Sequence, residues 1–352
     1  MDYFERKEKI LTYLRSYESI SNHEAQGLTN AHRNTITSDF IKLIKENLIQ
    51  RIGTGKGTRY FLIEAKLYSE DLLENLWSRK DRQTLKKFFS KEKRKKVFFD
   101  QTVETSINTE FGLPGKIETI FNNSKPGIDE KRIALSESER KRKKEKLIID
   151  LSWASSRIEG NTYSLLETEV LIKFNETTQG KSLNEAKMII NHKNALSYIR
   201  EQSRYKQLSK QNVFELHQQL IDGLGVPTGF RKRLVHITNS SYVPCDNEFQ
   251  IVSFFEKTIE KINEIQSVLA KALAANLLIA YLQPFEDGNK RTSRMLGNAI
   301  LLAHGFLPLS FSHTPKEEYI KSILYFYEKQ DPRYFMYLFL KELNYSFREY
   351  IG

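Results

Sequence analysis

Residues 283–294 bring together Gln283, Pro284, Phe285, the acid pair Glu286–Asp287, then Gly288, Asn289, Lys290, Arg291, Thr292, Ser293 and Arg294. Acid, glycine, asparagine and clustered cations at this spacing suit the holding of a polyphosphate. Glycine lets the backbone curl and asparagine tolerates left-handed angles, so successive N–H groups can point into one concavity. A helix starting near Thr292 would put its positive end behind that concavity, with Arg291 and Arg294 beside it. Asp287 is the natural Mg²⁺ ligand, because Mg²⁺ takes hard oxygens from one or two carboxylates, phosphate and water. Gln283 heads the segment; its amide oxygen accepts a hydrogen bond but cannot carry a proton away at neutral pH. Taken alone, residues 288–291 read equally well as a solvated loop capping a helix.

A second constellation lies upstream at residues 155–161, Ser155-Ser156-Arg157-Ile158-Glu159-Gly160-Asn161. On its own, Ser155 reads as a helix cap and Glu159 as surface decoration. Brought to the cationic turn, however, Glu159 would pair with an arginine and repel an incoming phosphate.

Together the two segments resemble the Fic family of nucleotidyl transferases. Residues 284–294 follow the family signature, and residues 155–160 resemble its Ser/Thr-x-x-x-Glu-Gly/Asn inhibitory motif (Ser155, Glu159, Gly160). Where the family pattern begins with a catalytic histidine, this chain has Gln283. The resemblance spans about residues 145–345. It implies ATP and Mg²⁺ as cofactors and AMP transfer to a Ser, Thr or Tyr hydroxyl of a target protein, itself included. It assigns phosphate binding to Gly288 through Arg294 and the metal to Asp287. It pairs Glu159 with Arg294 and leaves Arg291 for the inner phosphates. Residues 216–220 and 228–231 resemble the helix and turn before the family's target-binding flap, and residues 234–239, including Val235 and Ile237, read as its strand. Tyr319 is the candidate adenine wall, while Tyr325, Phe326 and Tyr327 read as helix core.

The elements that must position these groups are mostly helical. Residues 269–282 are rich in Ala and Leu and apolar nearly all round, as a buried helix is, and residues 292–302 begin a second run. The fold class expected is mainly α, a Fic-type helical core with a short β-hairpin flap preceded by a winged helix-turn-helix. Domain bounds fall at 1–65, a helical connector over 66–144, and 145–345, with a core of about 205–345. Turns are expected at residues 112–115 and 122–127.

The chain has 352 residues and a net charge of +11. Residues 1–150 hold 31 Lys/Arg against 23 Asp/Glu, and residues 151–352 hold 24 against 21. The excess of +8 in the first part, against +3 in the second, sits where a nucleic-acid module would be, although solvated basic helices explain it as well. Residues 5–17 and 33–47 read as amphipathic helices, and residues 48–52 and 58–63 as strands around a Gly-rich turn. This order resembles a winged helix-turn-helix, whose second helix would offer Arg33, Asn34, Thr35, Thr37, Ser38 and Lys42 to the major groove. Lys56 and Arg59 of the wing would face phosphate. A protein-docking winged helix is the alternative.

No apolar run reaches 18 residues and the N-terminus lacks a signal-peptide core, so a cytoplasmic location away from membranes is expected. The single cysteine, Cys245, suits a reducing compartment and reads as packing. The seven histidines show no zinc-ligand spacing. Two functions stand open: a protein adenylyltransferase restrained by Glu159 and weakened by Gln283, or a DNA-binding regulator whose core senses nucleotide without catalysis. A homodimer is compatible with either.

Overall fold

Helical periodicity becomes helix almost throughout the computed structural model, which describes all residues except 18, 46–47, 63–66, 91–93, 104–112, 201–202 and 351–352. The fold is mainly α and divides into two units, Met1–Lys66 and Leu67–Gly352.

The first unit opens with α1 (Tyr3–Ser16), α2 (Asn22–Thr29) and α3 (Arg33–Lys45), followed by strands β1 (Ile49–Ile52) and β2 (Arg59–Leu62). Asp2 and Ser21 close capping boxes with Glu5 and Glu24, each satisfying orphan N–H donors at a helix start. Asn30 takes the left-handed angle that ends α2 (φ 54°). Strands β1 and β2 form an antiparallel hairpin, Ile49 opposite Leu62 and Ile52 opposite Arg59. Ile10, Leu14, Ile36, Phe40, Leu43 and Tyr60 fill the core, where Phe40 stacks on Tyr60 at 3.8 Å. Arg6 ties α1 to the buried Asp39 of α3 at 2.7 Å.

The second unit contains α4 (Glu70–Leu76), α5 (Arg79–Phe89), β3 (Val97–Phe98), α6 (Gly115–Ala134), α7 (Glu137–Ile158), α8 (Leu165–Phe174), α9 (Leu183–Arg200), α10 (Lys210–Ile221), β4 (Tyr242–Val243), α11 (Glu248–Glu264), α12 (Val268–Leu282), α13 (Asn289–Ala303), α14 (Lys316–Lys329) and α15 (Arg333–Tyr350). At its centre α12 packs against α13, and residues 269–282 are all buried. Their close approach depends on Gly297: a Cβ there would stand 1.9 Å from Asn276 Nδ2.

Three sequence expectations change. Residues 66–144 do not behave as a separate connector, because Tyr68, Leu73, Leu113, Ile117 and Phe121 join the main core of this unit. Residues 122–127 are not a turn; α6 runs through Pro126, held by the burial of Ile117, Phe121 and Ile128 on one face. Tertiary packing here outweighs the local preference of proline. Residues 234–239 form no strand. The strand lies further on, at Tyr242–Val243, and pairs in parallel with Val97–Phe98. Asn239 takes a left-handed angle (φ 59°) and Ser240 N–H closes a turn on the Ile237 carbonyl, so the chain bends before it can pair. The hairpin of this protein is β1–β2.

Candidate phosphate-binding and inhibitory site

Helix α12 ends at Gln283, which adopts the left-handed angle of a helix C-terminus (φ 52°). Its side chain is spent inside the fold. Nε2 donates to the Ala280 carbonyl at 2.6 Å and lies 3.3 Å from Tyr327 Oη, while Oε1 accepts from Asn289 Nδ2 at 3.1 Å. Arg231, 1% exposed, fixes the same corner: Nε donates to the Gln283 carbonyl at 2.6 Å, and its guanidinium also reaches the Arg233 and Cys245 carbonyls. Cys245 is accordingly a buried packing residue whose backbone does the work.

The loop then curls into α13. Asn289 staples it, donating to the Phe285 carbonyl at 2.8 Å and accepting the Phe285 N–H at 2.9 Å. Gly288 is the N-cap, with φ 82° and Ile221 Cγ2 only 3.1 Å from where a Cβ would sit, so a side chain would be both strained and crowded. No side chain caps this helix. Thr292 N–H bonds to the Gly288 carbonyl, and the N–H groups of Asn289, Lys290 and Arg291 have no acceptor among the described residues. Three free donors at the positive end of a 15-residue helix make an anion cradle. His217 supports the loop from α10, with Nε2 3.0 Å from the Asp287 carbonyl oxygen and its ring stacked on Phe285. Burial pushes His217 down to about 4, so it is neutral there.

Arg291 is buried and donates to Asp287 Oδ2 at 2.9 Å and to the Leu220 carbonyl at 3.1 Å. Asp287 is 66% exposed, and its other oxygen accepts the Gly288 N–H. A single exposed carboxylate beside a phosphate cradle fits Mg²⁺, which completes its shell with phosphate and water. No group of three or more metal-ligating side chains occurs among the described residues. Thr292 and Ser293 are fully buried; Ser293 Oγ donates to the Lys290 carbonyl and secures the first turn, whereas Thr292 Oγ1 has no hydrogen-bond partner among the described residues.

Glu159 caps α7 directly against this turn. Its Oε1 accepts from Arg294 Nη2 at 2.8 Å and its Oε2 from Lys290 Nζ at 3.0 Å. Ser155 adds two contacts, Arg294 Nε to its Oγ at 3.0 Å and Arg294 Nη2 to its carbonyl at 3.1 Å. Burial raises the Glu159 carboxyl, but Lys290, Arg294 and Arg291 outweigh it and hold the group at about 2. Gly160 turns the chain away with φ 99°. His192 of α9 backs the motif, with Nδ1 2.7 Å from the Met188 carbonyl oxygen and 3.2 Å from Ser156 Oγ. Burial, then Arg291 and Arg294, push it down to about 3, so it stays neutral.

Some readings shift. Tyr319 is fully exposed to nothing: it lies beneath Arg294, 5.2 Å from its guanidinium, edge-on to Phe311 and Phe335, and offers no face to an adenine in this structure. Val235 and Ile237 lie on the bent segment before β4. Lys290 as a second partner of Glu159, and Arg231 as the anchor of the Gln283 corner, were not legible as such; a lysine in a basic run carries no local mark of its partner.

In the first unit, Arg33, Asn34, Thr37, Ser38 and Lys42 are exposed along α3, and Thr35 is half-buried. Thr37 Oγ1 donates to the Arg33 carbonyl and accepts from Asn22, and Lys42 lies over the Tyr3 ring at 4.6 Å. Arg59 is occupied: it pairs with Glu24 at 3.0 Å and donates to Ser19 Oγ at 2.6 Å, so it is not a free phosphate ligand. The side chain of Lys56 lies outside the described residues.

Residues 207–301, which include the cradle at the start of α13, match the Fic/DOC family model. By that match this segment is similar to the Fic/DOC family. The protein adenylyltransferase Fic of Nematostella vectensis is 27% identical over 222 residues, 60% of this chain and 52% of that protein. Protein adenylyltransferase fic-1 of Caenorhabditis elegans is 25% identical over 202 residues, 55% and 39% of the two chains. The chain thus spans about half or less of the length of these curated relatives. Among solved structures, Fic-1 from C. elegans aligns with a TM-score of 0.54 at 17% identity, covering 99% of this chain and 98% of that one. A Fic domain-containing signaling protein from Bacteroides thetaiotaomicron aligns with a TM-score of 0.51 at 20% identity, covering 62% and 93%. These likenesses establish the Fic fold. No helix among the described residues is long and apolar enough to cross a membrane.

Proposed function

We propose that this protein binds ATP with Mg²⁺ at residues 287–294 and transfers AMP to a hydroxyl of a protein, at a rate limited by Gln283 and restrained by Glu159. The observation that carries the reading is the Glu159 carboxylate bonded to both Lys290 and Arg294 at an otherwise uncapped helix start. A carboxylate there occupies cations that a terminal phosphate would use. Relatives named protein adenylyltransferases support the reaction class.

In this reaction the hydroxyl oxygen attacks the α-phosphorus, the bond to the β-phosphate bridging oxygen breaks, and pyrophosphate leaves. Bound Mg²⁺ supplies charge neutralisation across the phosphates. The free N–H groups of Asn289, Lys290 and Arg291 and the Arg291 and Arg294 guanidinia position and neutralise the chain of phosphates. The hydroxyl proton must go to water or a phosphate oxygen, since Gln283 is neither basic nor free to turn. Lack of a positioned base costs about 10²–10⁴-fold, whereas positioning and charge neutralisation supply most of the acceleration in such transfers. The product is therefore slow labelling, self-modification included.

The second reading, a DNA-binding regulator with a nucleotide-sensing core, is favoured by one feature: the Gln283 amide is tied to Ala280, Tyr327 and Asn289 and acts as a structural cap. The polar outer face of α3, with the winged-helix order of the first unit, is its DNA-facing candidate.

The test is incorporation of label from ATP radiolabelled on its α-phosphate into four proteins: the native chain, Glu159→Gly, Gln283→His and the double variant. Label rising with Glu159→Gly, and rising again by about 10²-fold or more with Gln283→His, supports the transferase. No label in the double variant refutes it and leaves the sensor.

A further inference from the structure

The other end of the α12–α13 pair carries a second cationic feature. Fifteen residues of α12 separate it from the signature loop, about 22 Å along the helix axis. A cleft of about 450 Å³ opens there, lined by Lys125 of α6, Lys206 of the turn before α10, and His304, Gly305 and Phe306 after α13.

Its charge is one-sided. The Lys125 ammonium lies 5.6 Å from the centre of the Phe306 ring, which is itself stacked on Phe121 at 4.0 Å. Behind the cleft, Lys271 is 6% exposed, and its ammonium reaches only the Lys206 carbonyl oxygen, at 3.5 Å. Arg132 donates to the Gly305 carbonyl at 3.0 Å, and its carboxylate neighbour, Asp129, is half-exposed and 3.8 Å away. No carboxylate among the described residues pairs with Lys125, Lys206 or Lys271. Burial and the three lysines hold His304 below its ordinary value. Nδ1 of His304 faces the Ile300 carbonyl oxygen at 2.9 Å, which leaves Nε2 for a ligand. Converging cations without counter-charges repel one another, and the buried Lys271 ammonium has one long hydrogen bond and no counter-charge. A multivalent anion would relieve both.

We propose that this cleft binds a compact phosphate-rich anion, a di- or triphosphate, at a site separate from the signature loop. Recognition is by charge and by donors from three elements. The Phe306 ring is buried against Phe121 with the Lys125 ammonium near it, so a base is not required. The proposal does not rest on the transferase reading.

The test follows the His304 ring signals by NMR in the full chain, assigned by their loss in His304→Gln, during titration with inorganic tripolyphosphate at fixed ionic strength. The expected result is a saturating shift at concentrations below roughly 1 mM. Lys125→Glu/Lys206→Glu should weaken it about tenfold or more, and Glu159→Gly should leave it unchanged. ATP giving the same shift identifies nucleotide phosphates as a source; tripolyphosphate acting alone identifies free polyphosphate. Three results overturn the proposal: unmoved His304 signals, a charge-reversed variant that titrates like the native chain, or a short DNA duplex that acts at lower concentration than tripolyphosphate.

Discussion

Replacing Glu159 by glutamine keeps its shape and removes its charge, which isolates the electrostatic part of the proposed restraint. Its carboxyl is lowered from 4.5 to about 2 and its side chain is 13% exposed. Burial opposes this lowering and Lys290, Arg294 and Arg291 outweigh it, leaving a net preference for the charged form on the order of 3 kcal/mol. A terminal phosphate that takes over Arg294 must displace this interaction. Apparent affinity for a triphosphate should therefore tighten by about 100-fold in Glu159→Gln, while a diphosphate, which stops short of Arg294, should gain less than about tenfold. Isothermal titration with ATP and ADP in Mg²⁺ reads the contrast. Without nucleotide the variant should also melt at lower temperature, because Arg294 is left buried without its counter-charge. ATP should restore the loss. The sign of the pH dependence is fixed: a depressed carboxyl stabilises above 4.5 and loses that contribution only as pH falls toward 2. The restraint should therefore be constant from pH 5 to 8, a range set by roughly ordinary side-chain pKa values. Equal tightening for ATP and ADP, or none for either, would refute the proposed competition at Arg294.

Three further outcomes are expected. Gly297→Ala should destabilise the second unit by about 2–4 kcal/mol in urea denaturation, since the added methyl meets Asn276 Nδ2 at 1.9 Å; a loss below about 1 kcal/mol would mean that α12 and α13 separate readily. Glu342 is buried and pushed up to about 7 by burial, which outweighs hydrogen bonds from the Thr314 hydroxyl and the Phe311, Thr314 and His313 backbone, so its acid form is stabilising and that contribution fades as pH rises from 4.5 through 7. Glu342→Gln should accordingly be more stable than the native chain at pH 8 by a few kcal/mol and nearly equal to it at pH 4.5, measured by denaturant midpoints. If the first unit binds DNA, Arg33→Ala should weaken duplex binding about tenfold and lower the salt slope by about one, whereas Arg59→Ala should leave the slope alone, because Arg59 is held by Glu24 and Ser19. Equal slopes for the two variants would remove α3 as the contact.

What the sequence shows and hides follows contact range. The Ala- and Leu-rich run that becomes α12, the apolar stripe Ile36, Phe40 and Leu43 of α3, and the Gly288 turn are local patterns, and each is legible where it stands. The fate of residues 234–239 depended on a strand of two residues and on its partner at Val97–Phe98, about which local alternation carries no information. Pro126 looked like a break because its effect is local, while the burial that overrides it comes from distant parts of the core. Glu159 and Arg294 are separated by 135 positions, and only the resemblance joined them in advance. Lys290 had no such guide. Tyr319 failed as an exposed wall for a similar reason: an aromatic at helical spacing says that one face is buried, and only the packing of Phe311 and Phe335 decides that all of it is.

Gln283 and Glu159 would restrain the proposed reaction by different physics. The Glu159 contact is a competition among charges; any anion that binds Lys290 and Arg294 more strongly can displace it, so its effect scales with nucleotide concentration. Gln283 acts on the proton, and no nucleotide concentration changes the basicity of an amide. Its bonds to Ala280 and Asn289 also hold the turn that sets the cradle, so the same side chain that withholds a base preserves the anion site. Saturating nucleotide should therefore lift the Glu159 restraint on binding fully while leaving the rate of transfer low. An increase in occupancy without a matching increase in turnover is the separation that two independent restraints require.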